Sequence, residues 1–391
     1  MQFNRESNSA ILLAGILALV VGVGVARFVF TSLLPAMLAD SISITFAGIL
    51  ASINYVGYLS GSIFSIFIKD KHAKVKYFRL GLCFCVIFSF ILGITENNLV
   101  WILARLLAGF GAAMALVVGS SIVMLKLNLS SKTKAMGIHF SGLGFSIVVT
   151  DLIMRAVFYY GGNWKEAWLI LAVIGAIFSC YSAYILRFEK QTKDKIITHK
   201  FDKSLFSPLT IILILAYFTE GVGMVVQATF LPDIVNSLAG LEGYGGYVWL
   251  IAGIAGIPAC IIWMRLAHHF GSINIMIIAM LLQIIGILIP TLSSNIILNI
   301  ISGLLFGATF IGLVALFMNF AGQLSNKNPV LIMGAITSAY GLGQIVAPLY
   351  SVALIKQFNN YDYALYVTAI IVAFGVSLLA YAKIKFKEAQ S

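Results

Sequence analysis

Twelve stretches of this chain each hold roughly 20 to 30 mostly apolar residues, and this recurrence limits the fold more than any other feature. A helix rises about 1.5 Å per residue, so such a stretch is long enough to cross the roughly 30 Å hydrocarbon layer of a bilayer. The stretches lie near 10–38, 45–68, 77–95, 99–125, 132–159, 165–187, 207–236, 243–265, 271–290, 295–320, 329–356 and 361–385, numbered here as spans 1 to 12. Composition agrees: 61% hydrophobic residues and 10% charged, with a mean hydropathy of +1.01, cannot supply the surface of a soluble domain. The expectation is an all-α membrane protein with twelve transmembrane helices.

The net charge of +11 raises the question of nucleic acid, and the placement of the cations answers it. If both termini are cytoplasmic, twenty of the 25 Lys and Arg fall in or beside cytoplasmic segments, chiefly 69–79, 126–134, 187–203 and 383–387. Only Lys165 and Lys356 fall on the other side, and Arg27, Arg105 and Arg155 lie within spans. This bias follows the positive-inside rule and predicts a multi-pass protein of a bacterial inner membrane, with no nucleic-acid partner. The first apolar run is too long for a cleaved signal and reads as a retained span. Cys83, Cys85, Cys180 and Cys260 all fall inside spans, which predicts neither a disulfide framework nor a metal site.

The chain also repeats itself. Leu34-Pro35, Arg105-Leu-Leu-Ala-Gly109 and Gly137 with Ser141, Gly142 and Gly144 are answered in the same order by Leu231-Pro232, Gly303-Leu-Leu-Phe-Gly307 and Gly334 with Ser338, Gly341 and Gly343, at offsets near 198. Two pseudo-symmetric six-helix bundles follow, 1–187 and 207–391, joined by a polar cytoplasmic linker at 188–206. Internal repeats of this kind are typical of secondary transporters. The sequence contains no G-x-x-x-x-G-K-[ST] loop, so a gradient is the expected energy source. Gly57 with Gly61, Gly303 with Gly307, and Ala108 with Ala112 show the four-residue spacing that lets helices approach closely in lipid.

Five charged residues stand out within the spans: Arg27, Arg105, Asp151, Arg155 and Glu220. A charge at mid-bilayer costs about 2.5–3.5 kcal/mol even on lenient scales, so each needs a partner or water. Asp151 and Arg155 are four residues apart and can pair on one helical face, as a structural or a gating ion pair. Arg105 can donate to carbonyls of span 1. Arg27 and Glu220 have no opposite charge on their own helix and can pair elsewhere or face a wet cavity. Arg27 suits a carboxylate, sulfonate or phosphate, because its fork donates two parallel hydrogen bonds. Glu220 is the candidate for proton coupling, since a carboxyl can take and release a proton during a cycle. Gln227 lies on the face of Glu220, and Asn54 and Tyr58 share a face of span 2; these residues can orient a polar ligand or bond to neighbouring helices. The repeat does not carry the charges. Arg27 aligns with Met224, Arg105 with Gly303, and Glu220 with Val23, so the scaffold is duplicated and the ionisable groups are not.

Two sets of six spans, a basic linker and Arg105-Leu-Leu-Ala-Gly109-Phe-Gly-Ala-Ala in span 4 resemble the major facilitator superfamily. The span 4 segment is similar to that superfamily's arginine-glycine motif, which implies proton coupling for Arg105. Asp70-Lys71-His72-Ala73-Lys74 is similar to its loop motif after span 2, with Ala73 where the motif has glycine. Arg27-Phe-Val-Phe-Thr-Ser-Leu-Leu-Pro35, Asn54-Tyr-Val-Gly-Tyr-Leu-Ser-Gly61, Ala228-Thr-Phe-Leu-Pro232 and Gly341-Leu-Gly-Gln344 resemble the YbfB/YjiJ branch. The resemblance places Arg27, Asn54, Tyr58 and Gln344 among the branch's signature positions. The span 5 proline of drug antiporters is absent from Gly142-Leu-Gly144-Phe.

The expected function is secondary active transport of a small organic anion or zwitterion by proton-coupled alternating access. Arg27, Asn54, Tyr58, Gln227 and Gln344 would bind the substrate, and Glu220 and Arg105 would serve coupling. Proton-driven efflux of amphiphilic compounds is the alternative within transport, and a non-transporting membrane sensor is the alternative outside it. No enzyme activity, cofactor or metal is expected. The expected partners are a small-molecule substrate, protons and membrane lipid, with a monomer as the working unit.

Overall fold

The computed structural model describes residues 7–68, 70–127, 132–188, 207–324 and 329–386. The expected linker at 188–206 therefore lies almost wholly outside the described residues. Twelve helices are long and apolar enough to cross a membrane: Asn8–Asp40, Ile44–Ser65, Lys71–Ile94, Asn98–Lys126, Ala135–Tyr159, Trp164–Ile185, Pro208–Asn236, Gly245–Phe270, Ser272–Leu292, Ile296–Ala321, Ala335–Phe358 and Asp362–Lys385. They correspond one to one with spans 1 to 12, and no strand occurs among the described residues.

Differences from the expected bounds have local causes. Span 3 starts at Lys71 rather than near 77, because the Asp70 side chain accepts from the Ala73 amide at 2.7 Å and caps the helix. The lysines of this first stretch can then run their stems along the helix while the charged heads reach the interface. Pro35 and Pro232 lie inside their helices, which continue to Asp40 and Asn236, close to the expected bounds. Proline is tolerated inside membrane helices where neighbouring groups satisfy the freed carbonyls.

Two stretches depart from α geometry. Val20–Phe28 in span 1 and Met114–Val118 in span 4 are π-helical, and the Val29 amide reaches back five residues to the Gly24 carbonyl. The two wide turns meet: a Cβ on Gly22 would lie 2.5 Å from Cβ of Ala115. Such insertions shift the hydrogen-bond register and expose carbonyls to side chains.

The chain divides into two compact units, one made of Met1–Val29 with Val56–Ile197, the other of Phe30–Tyr55 with Thr198–Ser391. Within the first, span 1 packs on span 5, and span 3 packs on spans 4 and 6; within the second, span 7 packs on span 11, and span 9 on spans 10 and 12. The pairings repeat at the offset of the sequence repeat, so the architecture is pseudo-symmetric. The small-residue seams lie where these helices touch. A Cβ on Gly57 would stand 1.9 Å from the Leu106 carbonyl oxygen, and one on Gly307 1.8 Å from that of Ala252. The seam between spans 2 and 4 of the first unit thus recurs between spans 8 and 10 of the second, with its glycine on the opposite helix of the pair.

Residues 30–55 are bound into the second unit by side-chain to backbone bonds. Thr31 Oγ1 donates to the Ala228 carbonyl, and Ser52 Oγ to the Ile345 carbonyl at 3.0 Å.

Candidate functional site

In the first unit the π-helical stretch of span 1 presents Arg27, which is buried, with its guanidinium carbon 4.7 Å from the ring centre of Tyr58 on span 2. Asn54 of span 2, which falls in the second unit, is buried as well. The residue before Arg27 also has a role. Arg105 Nη1 on span 4 donates to the Ala26 carbonyl at 2.9 Å, so the second arginine is bonded to the backbone that carries the first.

Asp151 and Arg155 pair along span 5 as their spacing predicts, Nε to Oδ2 at 2.6 Å. Asp151 is wholly buried, whereas the Arg155 side chain is 26% exposed. Lower in the same unit His139 Nε2 shares a hydrogen bond of 2.8 Å with Ser120 Oγ, and Gly15 leaves room for the imidazole.

In the second unit Glu220 is wholly buried near the middle of span 7. It meets a neighbouring helix: Gln283 Nε2 on span 9 donates to Glu220 Oε1 at 3.3 Å. Gln227 is likewise turned to neighbouring helices, with Nε2 3.3 Å from the Gly286 carbonyl and 3.4 Å from Ser302 Oγ. Gln344 is buried with Nε2 3.6 Å from the Met224 sulfur.

The structure therefore brings Arg27, Tyr58 and Arg105 together through span 1, and sets Glu220 and Gln227 on one polar seam of the second unit. Gln283, Ser302 and the pair His139–Ser120 are partners that sequence reasoning did not assign. They are uncharged polar residues inside apolar spans, and nothing in their spacing names their partners. Just before the helix Asp362–Lys385, Tyr361 donates to the Asp233 carboxylate of span 7. Burial first, and the Asp233 charge second, push the Tyr361 hydroxyl above its ordinary value.

No group of three or more His, Cys, Asp or Glu side chains able to hold a metal occurs among the described residues. A family model described as "Uncharacterised MFS-type transporter YbfB" matches residues 19–380. The chain belongs to this family of the major facilitator superfamily. It is accordingly an integral multi-pass membrane transporter and not an enzyme. Among solved structures, a mutant of the nucleoside transporter NupG superposes with a TM-score of 0.75 at 12% identity, covering 95% of this chain and 99% of that one. A bacterial homolog of the human lysosomal transporter Spinster, in an inward-facing and unoccupied conformation, gives 0.69 at 16% identity, covering 98% of both. At such identities the likeness speaks for the fold alone. No curated protein matches the chain at a significant level.

Proposed function

We propose that this transporter carries a small organic anion or zwitterion and couples its movement to protons. The observation that carries the reading is Arg27, a buried guanidinium lying over the Tyr58 ring at 4.7 Å in a wide turn of span 1. Stacking on an aromatic face fixes the guanidinium plane and stabilises the charge, and its donors then project from the edge in the fork that matches a carboxylate.

Glu220 is the proton carrier in this reading. No cation among the described residues stands within ion-pair distance of it. Arg105 transmits movement of span 1 to span 4 through the Ala26 carbonyl. Alternating access then takes the form of rocking between halves 1–187 and 207–391, with both termini cytoplasmic in an inner membrane, as the lysine and arginine bias supports.

The test begins with purified protein and a thermal-shift screen of organic acids and amino acids, because a ligand that binds only the native state raises its melting temperature. Proteoliposome uptake of the ligands found, with and without an inward proton gradient, follows. Arg27→Ala should lose the thermal shift, Arg27→Lys should recover part of it, and Glu220→Gln should bind ligand but lose stimulation by the gradient. Unchanged gradient-driven uptake by Glu220→Gln would remove Glu220 from coupling, and an unchanged shift in Arg27→Ala would remove Arg27 from binding.

A further inference from the structure

Glu220 is one end of a polar file inside the second unit. Glu220 and Gln227 of span 7, Gln283 of span 9, and Ser302 and Asn299 of span 10 are each 0% exposed. Gln283 meets Glu220 at 3.3 Å. One turn further along span 9, the Gly286 carbonyl accepts from Ser302 Oγ at 2.6 Å and from Gln227 Nε2 at 3.3 Å. One turn back along span 10, Asn299 Nδ2 donates to the Ser293 carbonyl at 2.9 Å and the Asn295 carbonyl at 3.0 Å. Ser293 and Asn295 belong to the short connection between spans 9 and 10, and Asn295 is exposed. The file therefore runs from mid-span Glu220 to the surface at that connection.

Its hydrogen bonding is lopsided. Every amide nitrogen is used, yet Glu220 Oε2, Gln283 Oε1, Gln227 Oε1 and Asn299 Oδ1 are buried acceptors with no partner among the described residues. A buried acceptor left unsatisfied costs about 1–3 kcal/mol, so four in one file call for donors that these helices do not supply. Small buried waters fill that role in folded proteins. Gln283 can also turn its amide: with nitrogen toward Glu220 it serves the carboxylate, and with oxygen toward Glu220 it serves the protonated acid. The pair has one satisfied arrangement for each protonation state. No described charged group stands within ion-pair distance of Glu220. Spans 11 and 12 meet this part of span 7 through the Tyr340 backbone at Gly221 and through Gly375 at Thr219.

We propose that this file is the route by which Glu220 exchanges its proton with the aqueous phase at residues 293–295, with Gln283 as the positioning residue at its inner end. The inference rests on Glu220 being the proton carrier. A hydronium at the 293–295 end gives up a proton. The proton passes along water held by the amide oxygens and by the remaining lone pair of the Ser302 hydroxyl. It ends on Glu220, whose carboxylate becomes a neutral acid as the last water is left neutral. The amides orient and do not themselves relay. Protonation and anion binding then use different units, since Arg27 belongs to the first and the file lies wholly in the second.

The experiment is time-resolved infrared spectroscopy of full-length protein in proteoliposomes after a pH jump, following the carboxyl C=O band that Glu220→Gln removes. Gln283→Leu, Ser302→Ala and Asn299→Ala should each slow the appearance of that band by about tenfold or more. Thr309→Val, on span 10 but off the file, should leave the rate unchanged. Melting temperatures identify folded variants, and the small truncations at 302 and 299 decide the matter if Gln283→Leu does not fold. Wild-type protein without a pH-dependent Glu220 band would overturn the proton-carrier reading and the route together. A normal Glu220 band with wild-type rates in the folded variants would overturn the route alone.

Discussion

Arg105 on span 4 donates to the carbonyl of Ala26 at 2.9 Å, and Ala26 immediately precedes Arg27 in the π-helical part of span 1. A buried guanidinium is thus accommodated by a backbone acceptor in a widened turn, and it joins two helices of the first unit. The same bond fixes the backbone from which Arg27 reaches Tyr58.

Removing this donor should loosen span 1 as well as span 4. Arg105→Leu leaves the Ala26 carbonyl without its guanidinium donor, at a cost of about 1–3 kcal/mol. Arg105→Lys should cost less, since an ammonium can reach a carbonyl but lacks the planar fork. Melting temperatures in detergent, Leu below Lys below wild type, check the order. Equal melting temperatures for all three would show that the bond contributes nothing to the fold.

The glycine seams predict a contrast between positions of equal burial. An added methyl at Gly57 or Gly307 would meet backbone oxygen at 1.9 Å or 1.8 Å, and backbone cannot move aside as a side-chain tip can. At Gly175 the nearest atom to the same methyl is 3.6 Å away. Gly57→Ala and Gly307→Ala should each destabilise by about 1–3 kcal/mol, whereas Gly175→Ala should be neutral or slightly stabilising. Unfolding of the three variants in one detergent system provides the comparison.

How far the sequence reaches can be seen at particular residues. All twelve spans are legible because an apolar stretch of about 20 residues has few other solutions, and small residues four apart mark the seams. The start of span 3 is not, because Lys71, Lys74 and Lys76 read as a loop until Asp70 is seen to cap them. The wide turn at Val20–Phe28 is hidden too, since Val-Gly-Val-Gly looks like an ordinary packing face. At the candidate site, charges announce themselves by their cost. The Asp151–Arg155 pair follows from helical spacing alone. Gln283 and Asn299 stay silent because an uncharged amide is cheaper to bury, and nothing in the pattern of span 9 says that Gln283 faces Glu220, 63 residues away.

Tyr361 gives a pH test outside the membrane spans. Its hydroxyl donates to Asp233, and burial together with that carboxylate raises its pKa. The folded state therefore holds the proton more tightly than the unfolded state does. The stabilisation is complete below the ordinary tyrosine value of about 10, and declines as pH climbs above it toward the raised folded value. Wild-type melting temperature should fall as pH is raised above about 10, and Tyr361→Phe should remove that part of the slope while lowering stability at neutral pH. A parallel decline in both proteins would assign the alkaline sensitivity to other groups.

The Asp151–Arg155 pair permits a cycle in which the two single variants differ. Arg155 retains 26% exposure of its side chain, so without its partner it can keep its charge in contact with water. Asp151 is 0% exposed and has no such outlet. Arg155→Leu, which takes the bonded guanidinium from a wholly buried carboxylate, should therefore cost more than Asp151→Leu, by about 1–2 kcal/mol. The double variant should be more stable than Arg155→Leu alone, because no buried charge is left to compensate. If the pair only lowers the cost of its own burial, ligand-induced thermal shifts will be the same in the double variant as in wild type. If it belongs to a gate, transport will fall in the double variant while ligand binding persists. Unfolding free energies and proteoliposome uptake of the four proteins separate these outcomes.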